Sequence, residues 1–368
     1  MIIHITLTNY NHQYSSSSIF LKKIIFHLIF VLLLHLLLIN PTNYNKKIMK
    51  KILLSATAIL MLFACQNDAN DANDPETSAV ARRSCASQEV LAAQLAADPS
   101  LAIKMNQIEA FTLKALSSPN FRIVNGKIVI PVVVNVLYRT AAENISDSQI
   151  QSQINVLNQD FTATNSDFNS TPTEFTGVAT DVDITFELVS INRKLTSKTS
   201  WGTRDAMKKS TQGGTDPTSP SDTLNFWVCT IGGGILGYAQ FPGGSPATDG
   251  IVCDSKYVGV TPNTGASYPY NLGRTATHEI GHWMNLRHIW GDATCGSDLV
   301  SDTPTHNTAN YGVPVYPHYS TCPGTPVEMS MNYMDYTDDR GMYMFTDGQK
   351  SRITPLFASG GARAGFGI

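Results

Sequence analysis

Acidic residues are missing from the start of the chain: the first 64 positions hold six Lys and no Asp or Glu. Histidine is scarce in the remainder, because four of the nine His fall in those 64 residues and only five in the following 304. Charge is sparse overall, at 15% of residues, and the formal net charge of −3 lacks the basic footprint of a nucleic-acid binder, so no nucleic-acid partner is expected. Without the first 64 residues, 20 basic side chains face 29 acidic ones, a net −9. No uninterrupted apolar run approaches the ~20 residues that a membrane-spanning helix needs. The run Ile24–Ile39 has 16 residues and is broken by His27 and His35. Six Cys in 368 residues exclude a disulfide-knot scaffold, and 26 Gly with 18 Pro exclude a collagen-like chain. No internal repeat is present. What remains is an acidic, His-poor body long enough for a substantial core.

Residues 1–48 are rich in Ile, Leu, Asn, Tyr and Lys, and a better-formed export signal begins at Met49. Lys50 and Lys51 supply a positive n-region, Ile52–Phe63 an apolar core, and Ala64-Cys65 a small-residue processing site. Translation is therefore expected to start at Met49, with 1–48 an upstream extension and 49–64 the signal peptide; a double hydrophobic N terminus is the alternative. Leu62-Phe63-Ala64-Cys65 resembles a bacterial lipobox, although Phe63 is bulkier than usual there. That resemblance implies cleavage before Cys65 and a lipid on it. The polar stretch QNDANDANDPETS that follows suits a flexible tether, taken as 65–84. Its acidic residues resemble the surface-export signals of bacterial lipoproteins, and a plain periplasmic linker is the alternative. Both place the body outside the cytoplasm.

Within the body, residues 87–117 suit two short helices broken near Asp98-Pro99. KIVIPVVVNVLYR (127–139) is dense in β-branched residues and predicts a buried strand. Ile150, Ile154, Leu157 and Phe161 share one face of a helix over 146–161, capped by Ser146. Strands are expected at 184–191, 224–231, 235–241 and 250–254, and helices at 273–285 and 346–358 with a long irregular stretch between them. This order indicates an α/β fold.

Three of the five body histidines lie in HEIGHWMNLRH, His278 to His288. His278 and His282, at i and i+4, share a helical face and can reach one metal ion. Glu279 stands beside them, placed to take a proton from a metal-activated water without ligating the metal. His288 can join only if the helix stops and the chain turns back; Asn285 stands at that turn and tolerates a positive φ. Three imidazoles with an open fourth position favour one catalytic zinc ion. Surface His and Glu on a helix is the bland alternative, against a chance expectation for this pattern on the order of 10⁻⁴.

These residues resemble the metzincin metallopeptidases, and within them the pappalysin-like family of cytophagalysin and ulilysin type. The metzincin consensus has Gly at the turn, so Asn285 is a departure, tolerable for the backbone reason just given. MSMNYMDYTDD (329–339) resembles the family's Met-turn. Alignment makes Met334 the turn methionine and Tyr336 the tyrosine that assists at the metal or the developing oxyanion. GILGYAQFP (234–242) resembles the edge strand along which such enzymes align an extended peptide, and FTDGQKSRI (345–353) the closing helix. The resemblance spans roughly 85–358. It implies a metzincin-type zincin with a twisted mixed sheet, active-site helix, Met-turn and C-terminal helix, the catalytic domain being 123–368. The expected activity is zinc-dependent endoproteolysis of proteins or peptides, by a monomer made as a latent precursor.

Cys85, in RRSCASQEV, resembles the family's latency cysteine, whose thiolate fills zinc's open position. A free or oxidised tether cysteine is the alternative. Residues 85–122 would then form a helical propeptide, and cleavage between about Ser118 and Lys127 would release enzyme and lipid anchor from each other. The product would be secreted, and the precursor an outer-membrane or cell-surface lipoprotein. Cys229, Cys253, Cys295 and Cys322 suggest two disulfides in an exported protein, with three connectivities open. Local pairing, Cys229–Cys253 and Cys295–Cys322, is expected. Relatives carry a further Cys after the Met-turn, near the place of Gly341. GSDLVSDTPTH resembles a calcium-binding segment of the family, with Asp298, Asp302 and Thr303 as oxygen ligands. Asp338 and Asp339 are expected to line the primed-side pocket and to favour Arg or Lys after the scissile bond. The competing function is an exported lipoprotein binding module with a retained, non-catalytic metal site, which the presence of Glu279 disfavours.

Overall fold

The computed structural model describes residues 82–117, 128–261 and 269–367. Cys65, the expected extension and signal peptide, most of the tether and the expected cleavage segment lie outside them. No helix among the described residues is long and apolar enough to cross a membrane. In chain order the main elements are α1 (Ser87–Ala97), α2 (Ser100–Leu116), β1 (Ile128–Tyr138), α3 (Asp147–Phe161), β2 (Ala179–Thr180) and β3 (Ile184–Leu195). They are followed by β4 (Leu224–Cys229), β5 (Gly237–Ala239), β6 (Ile251–Asp254), α4 (Arg274–Trp283), β7 (Phe345–Thr346) and α5 (Asp347–Phe357).

Local chemistry sets the helix ends. Ser146 Oγ accepts from Gln149 N at the start of α3, and Thr346 with Gln349 forms a capping box at the start of α5. The five-stranded sheet has the order β3-β1-β4-β6-β5. β1 runs parallel to β3 and β4, β4 parallel to β6, and β5 antiparallel to β6, which makes the sheet mixed and leaves β5 at its edge. α3 and α4 cover one face: Ile150, Ile154, Leu157, Phe161, Ala276 and Ile280 join Ile130, Val132, Val134, Phe226 and Ile251 in the main core. Trp227, Val252, Tyr238 and Leu137 point the other way, into a smaller core with Trp201, Met207 and Val90.

That alternation corrects one expectation. Cys229 and Cys253 are both buried free thiols, not a disulfide. In the β4–β6 register Cys253 stands opposite Val228, and Cys229 opposite Asp254. The offset of one residue puts the two cysteines on opposite faces: Cys253 in the main core and Cys229 in the smaller one. The sheet itself lies between the two sulfurs. Cys295 and Cys322 do form the expected disulfide, closing the loop that follows α4.

Candidate active site

All ten residues of α4 are buried. Gly273, at φ 81°, starts it, and Asp339 Oδ2 accepts from Leu272 N (2.8 Å) and Arg274 N (3.3 Å) at its positive end. The helix stops where expected. Asn285 takes φ 68°, Leu286 N donates back to Gly281 O (2.9 Å), and the reversed chain brings His288 to the face of His278 and His282.

Each histidine has its outer nitrogen tied. His278 Nδ1 meets Tyr333 O at 2.7 Å, His282 Nδ1 meets Leu286 O at 2.8 Å, and His288 Nδ1 meets Asp292 Oδ1 at 2.5 Å. Carbonyl oxygens only accept, so the Nδ1 atoms of His278 and His282 carry the protons and their Nε2 lone pairs stay open. Those lone pairs converge: Nε2 of His282 lies 3.2 Å from that of His278 and 3.1 Å from that of His288. Burial, reinforced by the neighbouring imidazoles, holds His278 and His282 well below the ordinary histidine value. Buried neutral imidazoles aiming lone pairs at one point fit a zinc ion.

Met334 lies against the helix from the turn below. A Cβ on Gly281 would sit 2.3 Å from Met334 Sδ, so glycine leaves the room that the Met334 side chain occupies against the helix. The same turn supplies Tyr333 O to His278 and places the Tyr336 ring 4.9 Å from that of His288. Tyr336 OH donates to the carbonyl of Cys85 at 3.3 Å.

The N-terminal segment lies along β5. Leu236 N donates to Ser84 O, Ala86 N to Gly237 O and Ala239 N to Ser87 Oγ, a parallel addition to the sheet edge. It delivers the Cys85 sulfur to the three histidines, the four ligand atoms lying within 4.8 Å of one another. The Cys85 thiol also lies 3.3 Å from Glu279 Oε2, to which Ser87 Oγ donates at 2.9 Å. Burial pushes Glu279 up to about 8, opposed by the bonds from Ser87 and Cys85 and by the charge of Arg83. Glu279 fits over β5 because Gly237 has no side chain; a Cβ there would come within 3.0 Å of it.

Residues 234–358 match the family model described as pregnancy-associated plasma protein-A, peptidase family M43. An extracellular metalloprotease of Arthroderma benhamiae is 34% identical over 234 residues, 61% of this chain and 76% of that protein. Another, from Verticillium alfalfae, is 35% identical over 241 residues, 61% of this chain and 76% of that protein. The chain belongs to the pappalysin-type metzincins. Among solved structures, mature mirolysin of Tannerella forsythia in complex with a cleaved peptide is 42% identical, with a TM-score of 0.63, over 66% of this chain and 97% of that one. A promirolysin mutant is 38% identical, with a TM-score of 0.71, over 78% and 97% of the two chains. This pappalysin-type protein is thus a zinc metallopeptidase made as a precursor, with the α/β metzincin fold.

Further residues complete the groove of this metzincin. Arg83 is buried in a pocket where it donates to Asp339 Oδ1 (2.5 Å), Thr337 O (3.1 Å) and Thr275 Oγ1 (3.4 Å), its guanidinium 4.9 Å from the Tyr270 ring centre. Asp338 is buried beside the pair without bonding Arg83 directly; burial raises its carboxyl. The expected calcium ligands have different hydrogen-bond partners. Asp298 accepts from Thr303 Oγ1 and Val300 N, whereas Asp302 accepts from Thr346 Oγ1 and Gly348 N, both at 2.7 Å, at the start of α5. Gly348 permits that approach, since a Cβ there would lie 2.4 Å from Asp302 Oδ1. Sequence reasoning missed Arg83, Ser87 and Asp292. The one signal for Asp292 is its place four residues after His288; Arg83 stands two residues before Cys85.

Proposed function

We propose that this chain is a latent, extracytoplasmic zinc endopeptidase in which His278, His282 and His288 hold the metal and Cys85 blocks its open position. The convergence of three Nε2 atoms with the Cys85 sulfur carries this reading. Zinc, when bound, supplies the Lewis acidity that polarises a peptide carbonyl and acidifies water. Glu279 is the general base, and the proton it takes passes to the leaving amine. In the precursor Glu279 is occupied by Ser87 and Cys85, so removal of that segment frees both base and metal position. Tyr336 OH, now donating to the Cys85 carbonyl, donates to the developing oxyanion of substrate. Met334 is the turn methionine, supporting α4 at Gly281.

The substrate is an extended protein or peptide segment paired with β5. Its residue after the scissile bond is Arg or Lys, taken by the pocket in which Asp339, with Asp338 beside it, now holds Arg83. Relatives named as extracellular metalloproteases support action outside the cytoplasm. The packaging follows from sequence as extension 1–48, signal 49–64, lipid on Cys65, tether 65–84, propeptide 85–122 and catalytic domain 123–368, except that Arg83 and Ser84, expected in the tether, dock on Asp339 and β5 together with the propeptide. The calcium reading keeps Asp298, Asp302 and Thr303 as its oxygen donors, although Asp298 is engaged by Thr303 Oγ1 and Val300 N and Asp302 by Thr346 Oγ1 and Gly348 N. Incubation of the purified chain with an unfolded protein tests the reading. Cleavage is expected to stop with a chelator, to return with zinc, and to fall to background in Glu279→Ala; undiminished cleavage by that variant would remove Glu279 from the mechanism.

A further inference from the structure

The N-terminal helices make a second charged contact with the body, away from the thiol. Glu109 on α2 pairs through both oxygens with Arg352 on α5, at 2.8 and 2.6 Å. Arg352 cannot follow α2 if that helix leaves, because its Nε also donates to Asn285 O at 3.2 Å, at the turn between α4 and His288. Its side chain is 3% exposed against 26% for Glu109. Arg352, then Arg287 and the Asn285 side chain, hold the Glu109 carboxyl below its ordinary value.

A cavity of about 330 Å³ opens between the helices and the body, lined by Glu109 together with Phe241, Asn285, Arg287 and Asp292. Two of its lining residues touch the histidines: Asp292 holds His288, and the Phe241 ring lies 5.3 Å from that of His282. Its position along the groove follows from β5. Arg83 fills the Asp339 pocket, Cys85 lies at the histidines, Ser87 stands beside Ala239, and Phe241 lies two residues further on. The acidic pocket and the cavity lined by Phe241, Glu109 and Arg287 thus lie toward opposite ends of β5, with Cys85 and the histidines between them.

We propose that Arg352 and Arg287 form a substrate subsite for an acidic side chain on the amino side of the scissile bond, which Glu109 occupies in the precursor. The inference rests on the peptidase reading and on Asp339 receiving the residue after that bond. A guanidinium held by a backbone carbonyl keeps its remaining N–H groups aimed at one place, and a carboxylate matches that fork. Asp292 does not take this role, since it is engaged with His288. Departure of α2 strips Arg352 of its only paired carboxylate among the described residues, leaving a fixed cation beside the groove.

The test uses the full-length chain after self-processing in zinc-containing buffer. Peptides share an Arg after the scissile bond and carry one Glu walked through the second to fifth residues before it, each compared with its Gln counterpart. At one register Glu is expected to raise kcat/KM by about tenfold, the factor equivalent to about 1.4 kcal/mol. The ratio should fall toward one in Arg352→Gln and in Arg287→Gln; the exposed Arg287 guards against misfolding of the first variant. A ratio near one at every register, or a ratio kept in both variants, overturns the inference. If the same preparation cuts no unfolded protein, the peptidase reading falls and takes this subsite with it.

Discussion

Removing Arg83 tests how latency is held. Its side chain is 1% exposed and that of Asp339 is fully buried, so Arg83→Ala breaks a desolvated ion pair. Such a break typically costs about 3–5 kcal/mol, mostly because the surviving charge is stranded. Here that cost is smaller on two counts. Asp339 keeps the N–H groups of Leu272 and Arg274, and the vacated pocket lies in a groove that water can enter. About 2 kcal/mol is a reasonable net loss of docking for the segment 83–87, equivalent to about 30-fold more of the undocked form. The assay is the lag before a full-length preparation cuts a fluorogenic peptide, with Glu279→Ala as the blank. The lag should shorten about 30-fold in Arg83→Ala, by analogy with the undocked population. Arg83→Lys should fall between, since an ammonium keeps the charge and loses the fork. An unchanged lag in Arg83→Ala, beside a shortened one in Cys85→Ala, would show that the thiol alone holds the segment.

Two further outcomes probe the scaffold. Gly281→Ala should gain about 1 kcal/mol of helix propensity and lose more to the collision with Met334, for a net cost of about 1–2 kcal/mol in denaturant unfolding. Combined with Met334→Ala the costs should fall short of additivity by more than about 0.5 kcal/mol, and strict additivity would mean the two residues do not press on each other. Burial pushes the Asp160 carboxyl up to about 6, outweighing the attraction of Arg274, whose fork is shared with Asp167. An unfolded Asp titrates near 3.9, so the unfolded chain releases this proton first and wild-type stability falls as pH rises from about 4 to about 6. Asp160→Asn lacks that titration. The gap between variant and wild type should move in the variant's favour by up to about 3 kcal/mol between pH 4 and pH 7; a pH-independent gap would show that folding does not shift the Asp160 carboxyl.

Features resting on neighbours in the chain could be read before the structure. α3 was legible because Ile150, Ile154, Leu157 and Phe161 repeat at helical spacing behind a Ser cap that closes on Gln149. The convergence of the three histidines was legible because a cation restricts the residue types that can hold it, and His278, Glu279 and His282 sit at a spacing that a helix converts into one face. Asn285 departs from the family's glycine, and the turn takes φ 68° there, a conformation that asparagine tolerates.

What escaped were contacts decided by parity or by distance along the chain. Cys229 and Cys253 belong to neighbouring strands, and composition cannot say whether their registers agree; an offset of one residue separates them by the thickness of the sheet. Asp302 offered an oxygen to a cation as plausibly as Asp298 did, until α5 arrived with an unbonded N–H at Gly348. Gly281 makes the point most sharply. Local propensity reads a glycine inside a helix as a weakness of about 1 kcal/mol. Its reason is Met334, which reaches the helix from a distant turn and fills the space where a side chain would begin. The residue that looks least helical in α4 is therefore the one that makes room for Met334, whose neighbour Tyr333 ties the Nδ1 of His278 through its carbonyl and leaves the Nε2 facing the other histidines.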